Sequence, residues 1–235
     1  MTNIQEDDAQ EALFLKTVAQ ALGRDKVLVT PPNRKEVGPP TFWREQEFEK
    51  DQPLELFKAN LEALTGKVAI VRDGQEATNQ IKLWLKVLNA KSAILWDHPE
   101  LRKYIEVSHL GVKTEFWNTS TSRQELIEIA EQADVGITWV DYAIGYTGTM
   151  ALFNSANTGR SVSLLPPTHI AVMQKSDIVP TMSTVMRHLM ERRGQGQLPS
   201  AIDFITGPSR TSDIEMDLSI GVHGPFRVWV VVIEN

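Results

Sequence analysis

A strand, a helix and a second strand can be read in turn from residues 67–96, KVAIVRDGQEATNQIKLWLKVLNAKSAILW. The apolar run at residues 68–71 has the length of a buried strand, and a second run of the same kind lies at residues 93–96. Between them, apolar residues recur at helical spacing. This helical face comprises Ile81, Trp84, Leu85 and Leu88. The order predicts two parallel strands joined by a crossover helix.

The same alternation continues on both sides of this unit. Another helical face comes before it, and residues 112–117 form a possible third strand after it. Ser122, with Glu125 three residues later, carries a capping-box signature for a helix that leads into a strand at residues 135–138. The preceding face consists of Leu54, Phe57, Leu61 and Leu64. We therefore predict the α/β class, with a mostly parallel Rossmann-like sheet, helices on both faces and ligands beyond the carboxyl ends of the strands.

The second half of the chain changes character. Residues 150–153, 161–165 and 170–173 are apolar runs separated only by turns, which predicts strands in antiparallel or mixed pairing. A helix follows, and we interpret its methionine stripe as core rather than as a cofactor-binding surface. Its apolar face consists of Met182, Val185, Met186, Leu189 and Met190.

Three further elements are predicted near the carboxyl terminus. Residues 201–206 read as a strand, and a helix is expected to open near Ser212. Residues 228–233 are so continuously apolar that we expect a central strand there, buried on both faces.

The first 52 residues have a different pattern from the rest. Phe14 and Val18 belong to a helical face that Gly23 can end, and a proline-rich segment follows. We predict an N-terminal helix and proline-rich arm over residues 1–52, and an α/β domain over residues 53–235. Phe42 and Trp43 leave two interpretations of the arm: an extended segment lying on its own domain, which we favour, or an anchor on another subunit.

Composition excludes several classes of function. The chain has 235 residues, no cysteine, and 24 Lys and Arg against 30 Asp and Glu, which gives a net charge of −6. Without cysteine, disulfides, thiolate-ligated iron–sulfur clusters and cysteine nucleophiles are impossible. The acidic balance argues against nucleic acid as a partner. No apolar run approaches the roughly 18 residues of a membrane-spanning helix, so we expect a cytoplasmic protein. No spacing of residues indicates a metal site, and we expect neither a metal nor a cofactor in this chain.

The segment at residues 206–215, TGPSRTSDIE, is the first candidate for ligand binding. Gly207 permits close approach of the backbone, and Arg210 can hold a phosphate or a carboxylate. Ser212 and Glu215 form a second capping-box signature, which would add helix-start amides beside Ser209 and Thr211. A plain capped turn explains the same pattern without any ligand, and the spacing does not separate the two interpretations.

Two other segments carry candidate residues. His223, in the glycine- and proline-bounded turn at residues 221–225, is a candidate general acid or base, although it could simply hydrogen-bond its own loop. Thr147, Gly148, Thr149 and, further on, Arg160 offer hydroxyl groups, a glycine and a guanidinium that suit an anion. These residues could form a second wall of the same cleft, or only the turns of a hairpin.

No generic catalytic motif is present: the chain has no P-loop, no Rossmann glycine triplet, no GxSxG elbow and no HExxH. Its motifs instead resemble, in order, those of the LUD-domain family. They are GIT (136–138), TGT (147–149), GRS (159–161), SLLPPTHI (163–170), IVP (178–180), ITGPSRT (205–211), DIE (213–215) and GVHGP (221–225).

This resemblance implies a fold like that of the NagB/RpiA/CoA-transferase group. It also implies a role in the oxidation of L-lactate to pyruvate, together with two cysteine-rich partner proteins that carry the iron–sulfur clusters. A chain without cysteine would then be the non-cluster subunit, and His223 could accept the hydroxyl proton of the substrate. One departure is Tyr146, which stands where members of the family usually have Glu, so a mechanism that depends on that carboxylate cannot operate here.

Two other classes of function stay open on sequence grounds. One is a free-standing enzyme that acts on a phosphorylated or CoA-linked small molecule, which the implied fold would accommodate. The other is a binding module that senses a metabolite or assembles its partners without chemistry of its own.

Overall fold

The computed structural model of the chain describes residues 4–28, 30, 52–212 and 218–234. The chain divides into two units, residues 1–46 and residues 47–235. In the first unit, helix α1 (Ile4–Ala21) confirms the predicted N-terminal helix. Gly23 follows it with a φ of 66°, the left-handed conformation in which glycine ends helices. Phe42 and Trp43 of the predicted arm lie outside the described residues, and the domain boundary at residue 52 stays a prediction.

The second unit begins with the predicted alternation of helices and strands. Its helices have the expected caps: the Asp73 carboxylate accepts a hydrogen bond from the Glu76 amide, and the Ser122 hydroxyl accepts one from the Glu125 amide. The elements are α2 (Pro53–Ala63), β1 (Lys67–Val71), α3 (Gly74–Val87), β2 (Ser92–Trp96), α4 (Pro99–Tyr104), β3 (Lys113–Trp117), α5 (Arg123–Gln132) and β4 (Val135–Trp139).

The remaining elements are shorter and more varied. Among them are strands that pair outside the main sheet. They are β5 (Tyr142–Ile144), β6 (Thr149–Asn154), α6 (Ser161–Leu164), β7 (Thr168–Gln174), β8 (Ile178–Val179), α7 (Met182–Gly194), β9 (Ala201–Ile205), β10 (Arg210–Ser212), β11 (Leu218–Ile220) and β12 (Arg227–Ile233).

The main sheet has six strands in the order β3-β2-β4-β7-β12-β1, and each neighbouring pair is parallel. Successive residues of a strand point to opposite faces, and nearly all residues of β2, β4, β7 and β12 are buried. The sheet is therefore covered on both faces, as the sequence predicts. Strand β12 lies inside the sheet, between β1 and β7, which confirms the expected central strand.

Two smaller sheets complete the second unit. Strands β8, β5, β6 and β9 form a mixed sheet in that order, in which β5 is parallel to β8 and antiparallel to β6. Strands β10 and β11 form an antiparallel pair. The expectation of antiparallel or mixed pairing in the second half is thus confirmed for β6. It is wrong for residues 170–173, because β7 lies inside the main sheet and pairs parallel with both of its neighbours.

Three further predictions for the second half are wrong. Ser161–Leu164 is a helical turn rather than a strand, because the Ser163 hydroxyl and amide both bond back to the Arg160 carbonyl and Pro166 then follows. Arg210–Ser212 pairs with Leu218–Ile220 as a strand, so no helix opens at Ser212; Asp213 and Glu215 lie outside the described residues.

The third error concerns the methionine stripe of α7, which is largely exposed. Met182, Met186 and Met190 expose 37%, 48% and 64% of their surface, whereas Val185 and Leu189 are buried against the mixed sheet. Only the narrow side of α7 that carries Val185 and Leu189, four residues apart, therefore belongs to the core.

One buried histidine lies between two strands of the main sheet. The imidazole Nε2 of His169 on β7 is 2.8 Å from the Thr138 hydroxyl on β4, and its Nδ1 has no partner among the described residues. Burial lowers the pKa of His169 from 6.5 to about 3, so the ring is neutral in the folded protein. The neutral ring is therefore part of the core between β4 and β7.

Two buried titratable groups should change the stability of the fold in opposite directions as the pH falls. Below pH 6.5 the unfolded state protonates His169 and the folded state does not, which costs about 2 kcal/mol by pH 5. Burial raises the pKa of Asp141 from 3.8 to about 6, so folding gains stability as the pH falls through that range. We expect the two effects to offset each other in the unmodified protein between pH 6.5 and 5.

An Asp141→Asn variant should remove the compensating group while keeping its hydrogen bond from the Phe153 amide. Its free energy of unfolding, from urea titrations, should therefore fall by about 1–2 kcal/mol between pH 6.5 and 5. His109→Gln, at an exposed position, serves as the control and should follow the unmodified protein. If the free energy of unfolding of Asp141→Asn did not change between pH 6.5 and 5, the opposing contributions of His169 and Asp141 would be contradicted.

Candidate functional site

Helix α2 holds the turn that carries the Thr-Gly-Thr motif. The Asn60 side-chain amide donates hydrogen bonds of 2.9 Å to the carbonyl oxygens of Gly145 and Tyr146. Gly148 has a φ of 64° and lies so close to the helix that a Cβ would come within 2.7 Å of the Leu61 amide nitrogen. Glycine is therefore required at this position for both conformation and space.

A chain of threonine hydroxyl groups leads from this turn to the end of β9. The hydroxyl of buried Thr149 lies 2.7 Å from that of Thr147 and 2.7 Å from that of Thr206. Thr147 and Thr206 are both exposed. When the Thr149 hydroxyl accepts a hydrogen bond from one neighbour and donates one to the other, an exposed hydroxyl at one end of the chain can donate to solvent or to a bound anion.

The segment from Gly207 to Thr211 meets the same end of α2. Gly207 has a φ of 81° and packs on the side chain of Leu64, directly after the helix. The Arg210 guanidinium donates a 2.8 Å hydrogen bond to the Leu64 carbonyl and lies 3.4 Å from the Thr65 hydroxyl. This bond satisfies a carbonyl at the carboxyl end of the helix and fixes the arginine at an exposed position.

The turn that contains His223 lies beside this segment. The Ser209 amide donates to the Pro225 carbonyl, and the Gly221 amide donates to the Ser209 carbonyl, at 3.0 and 2.9 Å. Gly224 also approaches the Ser209 side chain. His223 itself is exposed. The structure thus brings Thr147, Gly148, Thr149, Gly207, Ser209, Arg210, Thr211 and the His223 turn around the carboxyl end of α2.

Arg160 does not join this group. Its guanidinium Nε lies 2.8 Å from a carboxylate oxygen of Asp203, and Asp203 pairs with Leu152 across β6 and β9. Thr149 begins β6, whereas Asn154, close to Arg160, ends it, and five residue steps along a strand span about 17 Å. The predicted residues therefore divide between opposite ends of the mixed sheet instead of forming two walls of one cleft.

The group around α2 is suited to binding an anion. It offers the Arg210 guanidinium, hydroxyl groups at Thr147, Thr206 and Ser209, and the imidazole of the adjacent turn. Among residues 4–28, 30, 52–212 and 218–234, no three His, Asp or Glu side chains are grouped as metal ligands would be. Within the same ranges, no helix is both long enough and apolar enough to cross a membrane.

Sequence reasoning missed Asn60 and Thr206 as parts of this site. An asparagine in the middle of an amphipathic helix is unfavourable, because its side chain competes for backbone hydrogen bonds, and this was the available signal for Asn60. Thr206 lay inside the candidate segment, but its partner Thr149 is 57 residues away. No local pattern indicates such a contact.

Replacing Asn60 by alanine should free the turn that precedes the Thr-Gly-Thr motif. Two carbonyl oxygens lose their donor, so we expect the free energy of unfolding to fall by about 1–2 kcal/mol. Asn79→Ala, on the exposed face of α3, makes the same change where no backbone group depends on it. Urea unfolding of both variants tests this; an equal loss in the two would show that Asn60 does not hold the turn.

Comparison with known proteins places these features in a family. A model of the LUD domain matches residues 54–233. "Lactate utilization protein C" of Shouchella clausii (strain KSM-K16) is 37% identical over 225 residues, which is 94% of this chain and 96% of the relative. The protein of the same name from Halalkalibacterium halodurans is 36% identical over 226 residues, with the same coverage of 94% and 96%.

A solved structure has the same fold. The crystal structure of a DUF162 family protein from Deinococcus radiodurans is 22% identical, with a TM-score of 0.54, and the match covers 78% of this chain and 98% of that one. The narrower likeness to NagB/RpiA/CoA-transferase proteins stays a prediction. The family model covers nearly the whole second unit, and the relatives match over almost their full length, so the chain belongs to the LUD-domain family.

Proposed function

We propose that this chain acts in lactate utilization, as a component needed to oxidise L-lactate to pyruvate together with iron–sulfur partner proteins. The observation that carries the proposal is the match, over 94% of the chain, to relatives named lactate utilization protein C. The anion-binding character of the group around α2 supports it, since both lactate and pyruvate are carboxylates.

In the proposed reaction, substrate binding and electron transfer belong to different proteins. Conversion of L-lactate to pyruvate releases two electrons and two protons, and a chain without cysteine cannot hold a thiolate-ligated cluster to accept the electrons. In our proposal the electrons pass to the two cysteine-rich partners that the resemblance to the family implies, and this chain contributes substrate binding. We place that work in the cytoplasm.

Arg210 is the residue we assign to the substrate carboxylate. Its bond to the Leu64 carbonyl fixes the guanidinium in place, so little side-chain freedom is lost when an anion binds. The hydroxyl chain that passes through Thr149 can donate to a second oxygen of the substrate. His223, in the adjoining turn, can accept the hydroxyl proton, while the α-hydrogen leaves as a hydride, or as a proton and two electrons, towards an acceptor on the partner proteins.

Tyr146 restricts the chemistry further. It occupies the position where the resemblance to the family places Glu, and a phenol does not supply the carboxylate that would act there as nucleophile or general base. Nucleophilic or general-base catalysis by a carboxylate at this position is therefore not part of the mechanism we propose.

Deletion of the coding sequence in the source organism tests the role in the cell. With L-lactate as sole carbon source, we expect lactate consumption and growth to stop, because the oxidation lacks one component. Growth on pyruvate should be unchanged, since the block lies before pyruvate. Undiminished growth on L-lactate would contradict the proposal, and restoration by the intact gene excludes a defect elsewhere.

A further inference from the structure

A cavity of about 460 Å³ opens at the end of the mixed sheet opposite to the α2 site. It lies where β3 ends at Trp117 and α5 begins at Arg123, and the turn that follows β6 closes one side. This is the carboxyl edge of the main sheet, where α/β proteins bind their ligands. The volume is in the range of small-molecule binding sites.

Two tryptophans of the main sheet hold the turn that borders this cavity. The Trp96 indole donates a 2.9 Å hydrogen bond to the Gly159 carbonyl, and the Trp117 indole donates a 3.2 Å bond to the Ala156 carbonyl. The Gly159 backbone packs against the Trp117 ring so closely that any Cβ would overlap ring atoms. The wall that carries Arg160 is therefore fixed in position before any ligand arrives.

A buried polar cluster lies at the base of the cavity. The Asn154 amide donates a 2.7 Å hydrogen bond to one oxygen of Asp203, and Arg160 contacts the other oxygen at 2.8 Å. Asn154 lines the cavity and exposes only 3% of its surface, yet its Oδ1 has no hydrogen-bond partner among the described residues. That oxygen is itself buried, so the cluster forms a polar base under the cavity and does not present this acceptor to solvent.

The charge of the lining residues is positive in an acidic protein. Arg123 and Arg160 are the charged residues that line the cavity, whereas the whole chain has a net charge of −6. Arg123 has no ion-pair partner among the described residues. Helix α5, which is 10 residues long, also begins at this point: Ser122 caps its Glu125 amide, and Thr121, Arg123 and Leu126 line the cavity, so the positive end of the helix dipole lies at the cavity wall.

We propose that this cavity binds a small phosphorylated compound, through Arg123, Arg160 and the start of α5. The Arg123 guanidinium, the Arg160 guanidinium, whose charge is shared with Asp203, and the start of α5 together suit a phosphate dianion better than a single carboxylate. The remaining volume accommodates an organic group, beside the polar residues Asn118, Thr119 and Thr121 that also line the cavity. The site is separate from the lactate site around α2 and does not depend on it.

Calorimetric titration of the purified chain with adenosine 5′-monophosphate, inorganic phosphate and L-lactate tests the proposal. Both phosphates should bind, the monophosphate more tightly, and Arg160→Gln and Arg123→Gln should each weaken that binding about 10-fold or more. Arg193→Gln, on the exposed surface of α7, removes the same charge far from the cavity and should change it less than twofold. Thermal unfolding of each variant checks that the fold is retained.

Three results would overturn the proposal. They are the absence of binding by both phosphates, equal weakening by Arg193→Gln, and weakening by Arg210→Gln but not by Arg160→Gln, which would place the phosphate at the α2 site. Because these titrations use the isolated chain and no lactate turnover, a negative result leaves the lactate role unaffected. Failure of the lactate role would likewise leave this site unaffected.

Discussion

Replacing Gly136 by alanine should destabilise the protein by about 3 kcal/mol or more. Gly136 lies in the middle of β4, and a Cβ there would overlap the backbone carbonyl of Val162 in α6. Because the obstacle is backbone rather than a flexible side chain, α6 and β4 would have to move apart. For a domain of this size, the melting temperature should fall by about 6–12 °C.

Gly194→Ala is the matched control for this prediction. Gly194 ends α7, and a Cβ at this position would meet no atom within 4 Å. The melting temperature of the control should therefore stay the same or rise slightly, since alanine favours helix. Differential scanning calorimetry of both variants decides the matter; a Gly136→Ala protein as stable as the control would show that α6 does not pack on β4 as described.

Removing the guanidinium of Arg210 should lower lactate-dependent turnover by about 10-fold or more. If the arginine binds the carboxylate equally in the ground state and in the transition state, the loss appears mainly as a higher KM for lactate. Arg210→Gln also removes the bond to the Leu64 carbonyl, so its unfolding must be measured alongside. Arg193→Gln is the control for charge and should leave kcat and KM unchanged.

A second outcome is informative for the same variant. If Arg210→Gln changes neither KM nor kcat while the chain is still needed for turnover, the α2 group does not bind lactate. The chain would then act by assembling its partners, and Arg210 would serve only to cap the helix.

Most of the main sheet could be predicted from the sequence, because its inner strands are buried on both faces and read as short, nearly continuous apolar runs, and the partly buried edge strand β1 has a run of the same kind. Residues 68–71, 93–96 and 228–233 all lie in strands of that sheet. The same criterion failed at residues 161–165, since an equally short apolar run can be one turn of helix, and only the tertiary setting separates the two.

Local signatures were less reliable where long-range pairing competes with them. Ser212 and Glu215 have the spacing of a capping box, but Ser212 pairs with Leu218 in an antiparallel ladder. The methionines of α7 have helical periodicity, yet only the narrower Val185–Leu189 side is buried. In both cases the pattern is compatible with two structures, and contacts distant in sequence select one.

The candidate site was predicted in its parts but not in its arrangement. The Thr-Gly-Thr turn and the segment around Arg210 were both expected to bind an anion, and α2 brings them together through Asn60 and Leu64. Arg160 was expected beside them but lies with Asp203 at the other end of β6. Which end of a strand a loop reaches depends on sheet order, which no motif encodes.

The most direct test of the lactate role is anaerobic, lactate-dependent dye reduction by the two iron–sulfur partners, measured with and without this chain. We predict that turnover requires the chain, that pyruvate appears in proportion to the dye reduced, and that added Arg210→Gln protein restores little of it. Equal turnover without the chain would contradict the account and would favour a separate enzyme acting on phosphorylated or CoA-linked compounds.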